Sequence, residues 1–259
     1  MTSLPEVLRT PGFYIFPFME KPAYFLGDAH LGVEPPGAVP YRENLLIELL
    51  RSWKGAASHV VILGDLFEFW YEYRYYVNKE HFHLFRALTE LVESGVQVHL
   101  LRGNHDFAYG DFFPKNLGVQ VSTSLKLDIQ GKKVFFTHGD GVARSDWSYR
   151  IFRKILNNPL NQWLFRQIHP DWGMGLARLV GRRSRKFGAE REIKLDEYLT
   201  WAARAIEKNN CQICVHGHHH IPGIWSVKTG SVASPGEWIK KLTYLKFEAG
   251  ELSIEEFKK

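Results

Sequence analysis

Cysteine is nearly missing from this chain: only Cys211 and Cys214 occur among 259 residues. Two cysteines exclude a disulfide framework as the basis of folding, and a reducing compartment fits that usage. No run approaches the roughly 18–20 consecutive apolar residues that span a bilayer. The opening stretch MTSLPEVLRTPGFYIFPF places Glu6, Arg9 and two prolines where a signal peptide needs an apolar region, so it makes a poor one. Internal repeats and low-complexity tracts are absent as well. These absences lead to the expectation of a cytoplasmic protein with one domain over 1–259.

What is present is a substantial core and an uneven charge. Hydrophobic residues make up 45% and charged residues 24%, ordinary for a soluble globular chain, with 18 Phe, 11 Tyr and 8 Trp. The formal charge is +5, but Arg144 to Lys194 holds 12 Lys/Arg against 4 Asp/Glu, which leaves the remainder mildly acidic. A basic segment on such a body points to an anionic partner: phosphate, nucleic acid or lipid headgroup.

The first half alternates short apolar runs with helical periodicity. Ala23–Asp28, His59–Asp65 and Val96–Asp106 read as buried strands, and Arg42–Lys54 and Lys79–Gly95 as amphipathic helices. Such alternation predicts a parallel core with right-handed crossovers. Later strands are expected at Ser124–Ile129, Lys132–Thr137, Gln212–His216, Gly223–Lys228, Leu242–Glu248 and Leu252–Phe257, around a largely helical Val142–Asn209. The expected fold class is α/β: two packed mixed sheets flanked by helices, with a helical cap insertion at about 142–190.

Ligand sites in open α/β sheets form beyond the carboxyl ends of strands. Here those ends read GDAHLG (27–32), GDLFEFW (64–70), GNHDF (103–107), THGDG (137–141) and GHHH (217–220). Each block alone is ordinary turn chemistry. Together they place an Asp, Asn or His at five successive strand tips. Asp28 and His30 are two apart, so a regular strand aims them at opposite faces. They converge only if the chain leaves the pleat, which the flanking Gly27 and Gly32 permit.

These five blocks resemble the signature motifs of the calcineurin-like metallophosphoesterases, across residues 27–220. The resemblance implies an α/β/β/α sandwich with two divalent metal ions. It puts one ion on Asp28, His30, Asp65 and His220, and the other on Asp65, Asn104, His138 and His218, with Asp65 shared. His219 then points away and His216 lies back in its strand. The nitrogen and oxygen donors suit Mn2+, Fe2+, Zn2+ or Ni2+, and the resemblance favours Mn2+. It further implies that His105 binds phosphate or protonates the leaving group, with Asp106 orienting it through a hydrogen bond. Asp140 supports a ligand histidine or caps its loop. Glu68 reads as a structural or supporting carboxylate.

The insertion mixes large apolar residues with Arg and Lys, and Pro159 suits the first turn of a new helix. It reads either as a plain helical cap or as an amphipathic one that holds acyl chains and meets a membrane. Its run SDWSYR, FR, NPL, QWLF, together with GDLFEFW, resembles the diphosphatases of lipid A biosynthesis that cleave UDP-2,3-diacylglucosamine. That resemblance implies release of UMP and 2,3-diacylglucosamine 1-phosphate at the cytoplasmic face of the inner membrane. It assigns substrate contacts to Asn104, His105, Asp146, Tyr149, Ser184, Arg191 and Lys194. The best-known branch has arginine where this chain has His105. A phosphodiesterase or nuclease of the same fold is the competing reading. Interleaving of the basic stretch with Leu, Ile and Trp argues for lipid over nucleic acid. A non-catalytic membrane adaptor is disfavoured because no ligand position is missing. Cys211 and Cys214 read as buried in or before a strand. Phe67–Tyr76 is an aromatic run suited to a base, an acyl groove or core packing.

Overall fold

The computed structural model describes residues 20–32, 37–106, 108–142, 154–156, 158–176 and 193–258. In chain order the elements are β1 (Ala23–Leu26), α1 (Arg42–Ser52), β2 (His59–Ile62), α2 (Phe82–Glu93), β3 (Gln97–Leu101), β4 (Gln120–Ser122), β5 (Ser124–Ile129) and β6 (Lys132–Thr137). There follow α3 (Pro159–Arg166), α4 (Leu195–Asn209), β7 (Ile213–His216), β8 (Pro222–Val227), β9 (Gly230–Pro235), β10 (Thr243–Glu248) and β11 (Glu251–Glu256). One sheet has the order β11-β10-β1-β2-β3-β4 and the other β5-β6-β7-β9-β8. In the first, β1 to β4 run parallel and β10 joins β1 antiparallel. In the second, β6, β7 and β9 run parallel between the antiparallel edges β5 and β8.

Side-chain alternation along these strands builds three apolar layers. Leu26, Val60, Ile62, Val98 and Leu100 face α1 and α2, meeting Leu46, Leu50, Leu84 and Leu88. Their neighbours Phe25, Val61 and Leu101 face the other sheet and meet Val134, Phe136, Val215 and Ala233. On the far side Cys214 and Val232 lie under Ala202 and Ile206 of α4. Strands covered on both faces read as continuous apolar runs, which is why β1, β2 and β3 stand out in the sequence. The result is the expected α/β/β/α sandwich of two mixed sheets.

Three details differ from the sequence reading. The third strand ends at Leu101, so the stretch to Asp106 is loop. The short β4 and all of β9 were not expected. GSVASP has the composition of a turn, yet Val232 and Ala233 are buried between β7 and β8, and that tertiary setting overrides local preference. Both cysteines are free; Cys214 is buried in β7 and Cys211 precedes it.

Of the insertion, residues 143–153, 157 and 177–192 lie outside the described residues. The helix α3 begins as expected: the Asn158 side chain accepts from the Leu160 amide at 2.9 Å, and Pro159 takes the first turn. None of its residues is buried, and Leu160 (62%), Trp163 (56%) and Leu164 (51%) are exposed. Among the described residues it is attached through aromatic side chains. Phe165 packs against Tyr71 at 4.7 Å and Phe69 at 5.7 Å, and the Tyr71 hydroxyl donates to the Gln162 carbonyl. The expected aromatic run therefore splits its duties: Phe67 and Trp70 enter the core, while Phe69 and Tyr71 hold the insertion. Among the described residues no helix is long and apolar enough to cross a membrane.

Candidate metal centre

The loops after β1, β2, β3, β6 and β7 meet in a single cluster. At its heart the chain does leave the pleat. Asp28 (φ 51°), His30 (φ 46°), Asp65 (φ 49°), His218 (φ 73°) and His220 (φ 59°) all adopt left-handed backbone. That conformation costs a side-chain-bearing residue about 1–2 kcal/mol. It is held by cross-loop bonds: Asp28 N–H to Gly64 O (3.1 Å), His30 N–H to Asp65 O (2.9 Å) and Leu31 N–H to Leu66 O (3.0 Å).

Each carboxylate commits one oxygen to a neighbouring loop. Asp28 Oδ2 accepts from the His218 amide and Asp65 Oδ1 from the His105 amide, both at 2.9 Å. The second oxygens face imidazoles. Asp28 Oδ1 lies 3.4 Å from His220 Nε2, while Asp65 Oδ2 lies 3.6 Å from His30 Nε2 and 3.4 Å from His138 Nε2. Two glycines make these approaches possible. A Cβ on Gly103 would sit 2.1 Å from Asp65 Oδ1, and one on Gly217 would sit 2.6 Å from Asp28 Oδ2.

Among the described residues the donor atoms form Asp28/His30/His220, Asp65/His138/His218 and, sharing His30 with the first, a third group His30/Glu68/His105, each with its atoms within 4.8 Å of one another. Asn104 Oδ1 joins the second group, 2.9 Å from His138 Nε2. Two ligands about 2.1 Å from one ion stand about 3.0–3.4 Å apart, close to the separations seen. Asp28 Oδ1 and His30 Nε2 are buried without a hydrogen bond. Ring orientations suit the same purpose. The His138 Nδ1–H donates to Leu63 O (2.8 Å) and the His30 Nδ1–H to Glu68 Oε2 (3.2 Å), so Nε2 is the nitrogen that each ring turns to the site. These residues fit two divalent cations that share Asp65.

The electrostatics describe a site short of positive charge. Burial alone raises the Asp28 carboxyl, but His220 and His138 bring it down to about 2. Asp65 is likewise held well below the usual carboxylate range, against its burial, by His138 and His105. Burial lowers His138, yet Asp65, Asp28 and Asp140 outweigh it and lift the imidazole to about 10. His220 is raised too, its burial outweighed by Asp28. Protons on these imidazoles balance the buried carboxylates, and a cation takes over that balance by displacing them. His218, lowered to about 4 by burial and then by His138, is already neutral and ready to ligate.

Asp106 does not orient His105. Its carboxylate accepts from the amides of Asp65 (3.0 Å), Leu66 (2.7 Å), Phe67 (3.3 Å) and Gly103 (2.9 Å), and from the Tyr109 hydroxyl (2.7 Å). It clamps the β2 loop to the β3 loop and so fixes Asp65. Burial, then the Asp65 charge, raises Asp106 to about 6 against its donors, so it is ionised at neutral pH. His105 is oriented by Glu68, whose carbonyl accepts from Nδ1 at 3.0 Å and whose carboxylate stands 3.7 Å away.

His216 and His219 lie behind the cluster, 4.9 Å apart and against Tyr198. Burial first pushes them down to about 4 and about 3, so both are neutral core residues. The expected substrate contacts Asp146, Tyr149, Ser184 and Arg191 fall outside the described residues, and Lys194 is exposed just before α4. Sequence reading missed Arg42, which supports the Asp28–His30 loop; at the start of an amphipathic helix it looks like a solvated charge.

The calcineurin-like phosphoesterase family model matches residues 21–222. The chain belongs to that family. A UDP-2,3-diacylglucosamine hydrolase of Neisseria meningitidis is 34% identical over 206 residues, 77% of this chain and 82% of that one. One from Pseudomonas fluorescens is 31% identical over 225 residues, covering 82% and 86%. Another, from Porphyromonas gingivalis, is 28% identical over 260 residues, covering 92% and 98%.

Two predictions follow from this phosphoesterase site. Replacing Asp106 by Asn removes one acceptor oxygen and costs about 1–3 kcal/mol for each amide left unpaired, read by chemical denaturation. Unchanged stability contradicts the clamp. Metal loading at pH 7 releases about one to two protons per chain, because His138 and His220 enter the metal-free site with raised affinity for protons. Calorimetry in buffers of different ionisation enthalpy measures the release, and zero release contradicts the charge balance.

Proposed function

We propose that this phosphoesterase hydrolyses the pyrophosphate of UDP-2,3-diacylglucosamine, giving UMP and 2,3-diacylglucosamine 1-phosphate for lipid A synthesis. The observation that carries the reading is Asp65, whose free oxygen stands 3.4–3.6 Å from an imidazole of each donor group. The names of the relatives above support the choice of substrate.

Two divalent cations, Mn2+ in our reading, supply Lewis-acid polarisation of the phosphoryl oxygens and acidify water when bound. The protein's own residues do the rest. Asp28, His30, Asp65 and His220 would hold one cation; Asp65, Asn104, His138 and His218 would hold the other. Water attacks the α-phosphorus, a new P–O bond forms, and the bridging P–O bond breaks. His105, its Nδ1–H tied to the Glu68 carbonyl, acts through Nε2: as the imidazolium it gives that proton to the departing phosphate oxygen, while the attacking water releases one of its own.

The acyl chains and the membrane face belong to the insertion in this reading. The exposed Leu160, Trp163 and Leu164 of α3, beside Lys154 and Arg166, have the apolar and basic character that a peripheral protein presents to an anionic lipid surface. We infer that the enzyme works at the cytoplasmic face of the inner membrane, and we carry over from the resemblance Asp146 and Tyr149 as contacts to the glucosamine-nucleotide portion and Ser184, Arg191 and Lys194 as contacts to the pyrophosphate or uridine.

Hydrolysis of UDP-2,3-diacylglucosamine by Mn2+-loaded protein in 18O-labelled water tests the proposal. All of the label is expected in UMP. Label in the lipid phosphate contradicts attack on the α-phosphorus, and no UMP release by the loaded protein contradicts the substrate.

A further inference from the structure

The loop bearing Asp28 and His30 is held from two sides. Its amides are taken by the β2 loop, as described above. Its carbonyls point the other way. The Trp238 amide donates to Asp28 O (3.2 Å), Arg42 Nε–H to Ala29 O (3.2 Å) and Arg42 Nη2–H to His30 O (2.5 Å). Arg42 is only 1% exposed, one of the largest fully buried side chains among the described residues. Its own carbonyl accepts the Trp238 indole N–H at 2.9 Å, which fixes the start of α1 under the loop.

A buried guanidinium is costly unless acceptors of fixed geometry meet it. Covering this loop needs only an apolar side chain, yet the chain places a planar fork whose donors reach two successive carbonyls. We propose that Arg42 is a positioning residue for the metal centre: by bridging the Ala29 and His30 carbonyls it holds Asp28 and His30 in left-handed backbone before any ion arrives. Without it both carbonyls lose their donors inside the protein. Rotating those peptides to find new ones returns the segment toward extended backbone, in which residues two apart face opposite ways. Asp28 and His30 then part. The other half of the centre has a separate support, the Asp106 clamp.

The inference rests on the two-cation reading of the site and adds an asymmetry to it: Arg42 serves the cation on Asp28, His30 and His220. Arg42→Lys tests this, since a lysine keeps the charge but offers a point donor in place of a fork. Equilibrium dialysis against Mn2+ gives the number and affinity of bound ions, with circular dichroism as the check on folding. In Arg42→Lys one ion is expected to bind tenfold to a hundredfold more weakly, the effect usual for groups that orient metal ligands. The second ion is expected to keep its wild-type affinity. Two ions bound as in wild type, or both weakened alike, overturn the positioning role while the two-cation reading stands. Fewer than two ions on the wild-type protein overturn both. Should Arg42→Lys fail to fold, Trp238→Phe, which removes only the indole donor to the Arg42 carbonyl, is expected to show the same one-sided weakening. Equal affinities there overturn the proposal.

Discussion

A single carboxylate governs this site. Asp65 gives one oxygen to the His105 amide and turns the other toward the His30 and His138 imidazoles. That division of labour fixes the loop beside it. Gly103 must be glycine because no Cβ fits against Asp65 Oδ1, and Asp106 must be buried because its two oxygens hold the amides around Asp65. The parallel order β1-β2-β3 brings the three loops side by side. The second sheet, packed through Phe25 and Phe136, carries His138, His218 and His220 to the opposite wall.

The cost of this arrangement is local strain. Five candidate ligands sit at positive φ, each at about 1–2 kcal/mol, while a whole domain is stable by only about 5–15 kcal/mol. Such conformations persist when their surroundings over-determine them. Here the amides of Asp28, His30 and Leu31 are paired with the β2 loop, and the carbonyls of Asp28, Ala29 and His30 with Trp238 and Arg42. Three apolar layers beneath supply the stability that the strained loops consume. The donors consequently stand near coordinating distances.

Strand tips were the legible part of the sequence. A buried strand ends abruptly where glycine meets Asp, Asn or His, and that contrast is visible without coordinates. It led to the residues that the structure gathers, and to β1, β2, β3 and the two helices beside them. What the sequence hid depends on contacts between distant segments. Asp106 adjoins His105 in the chain, so a hydrogen bond between them was the natural expectation; its carboxylate instead turns to amides about 40 residues earlier. Glu68 supports both His30 and His105 from one position, a fact of geometry with no periodic signature. Arg42 begins a helix as countless solvated arginines do, and only packing shows it buried. In β9, turn-forming residues become a central strand because neighbours on both sides supply the pairing.

Electron paramagnetic resonance of the Mn2+-loaded protein addresses the shared carboxylate most directly. Two ions joined through Asp65 stand about 3.5–4 Å apart and couple magnetically, so the account predicts the multiline spectrum of a coupled pair at two ions per chain. A simple six-line spectrum of isolated Mn2+ at full loading would contradict it.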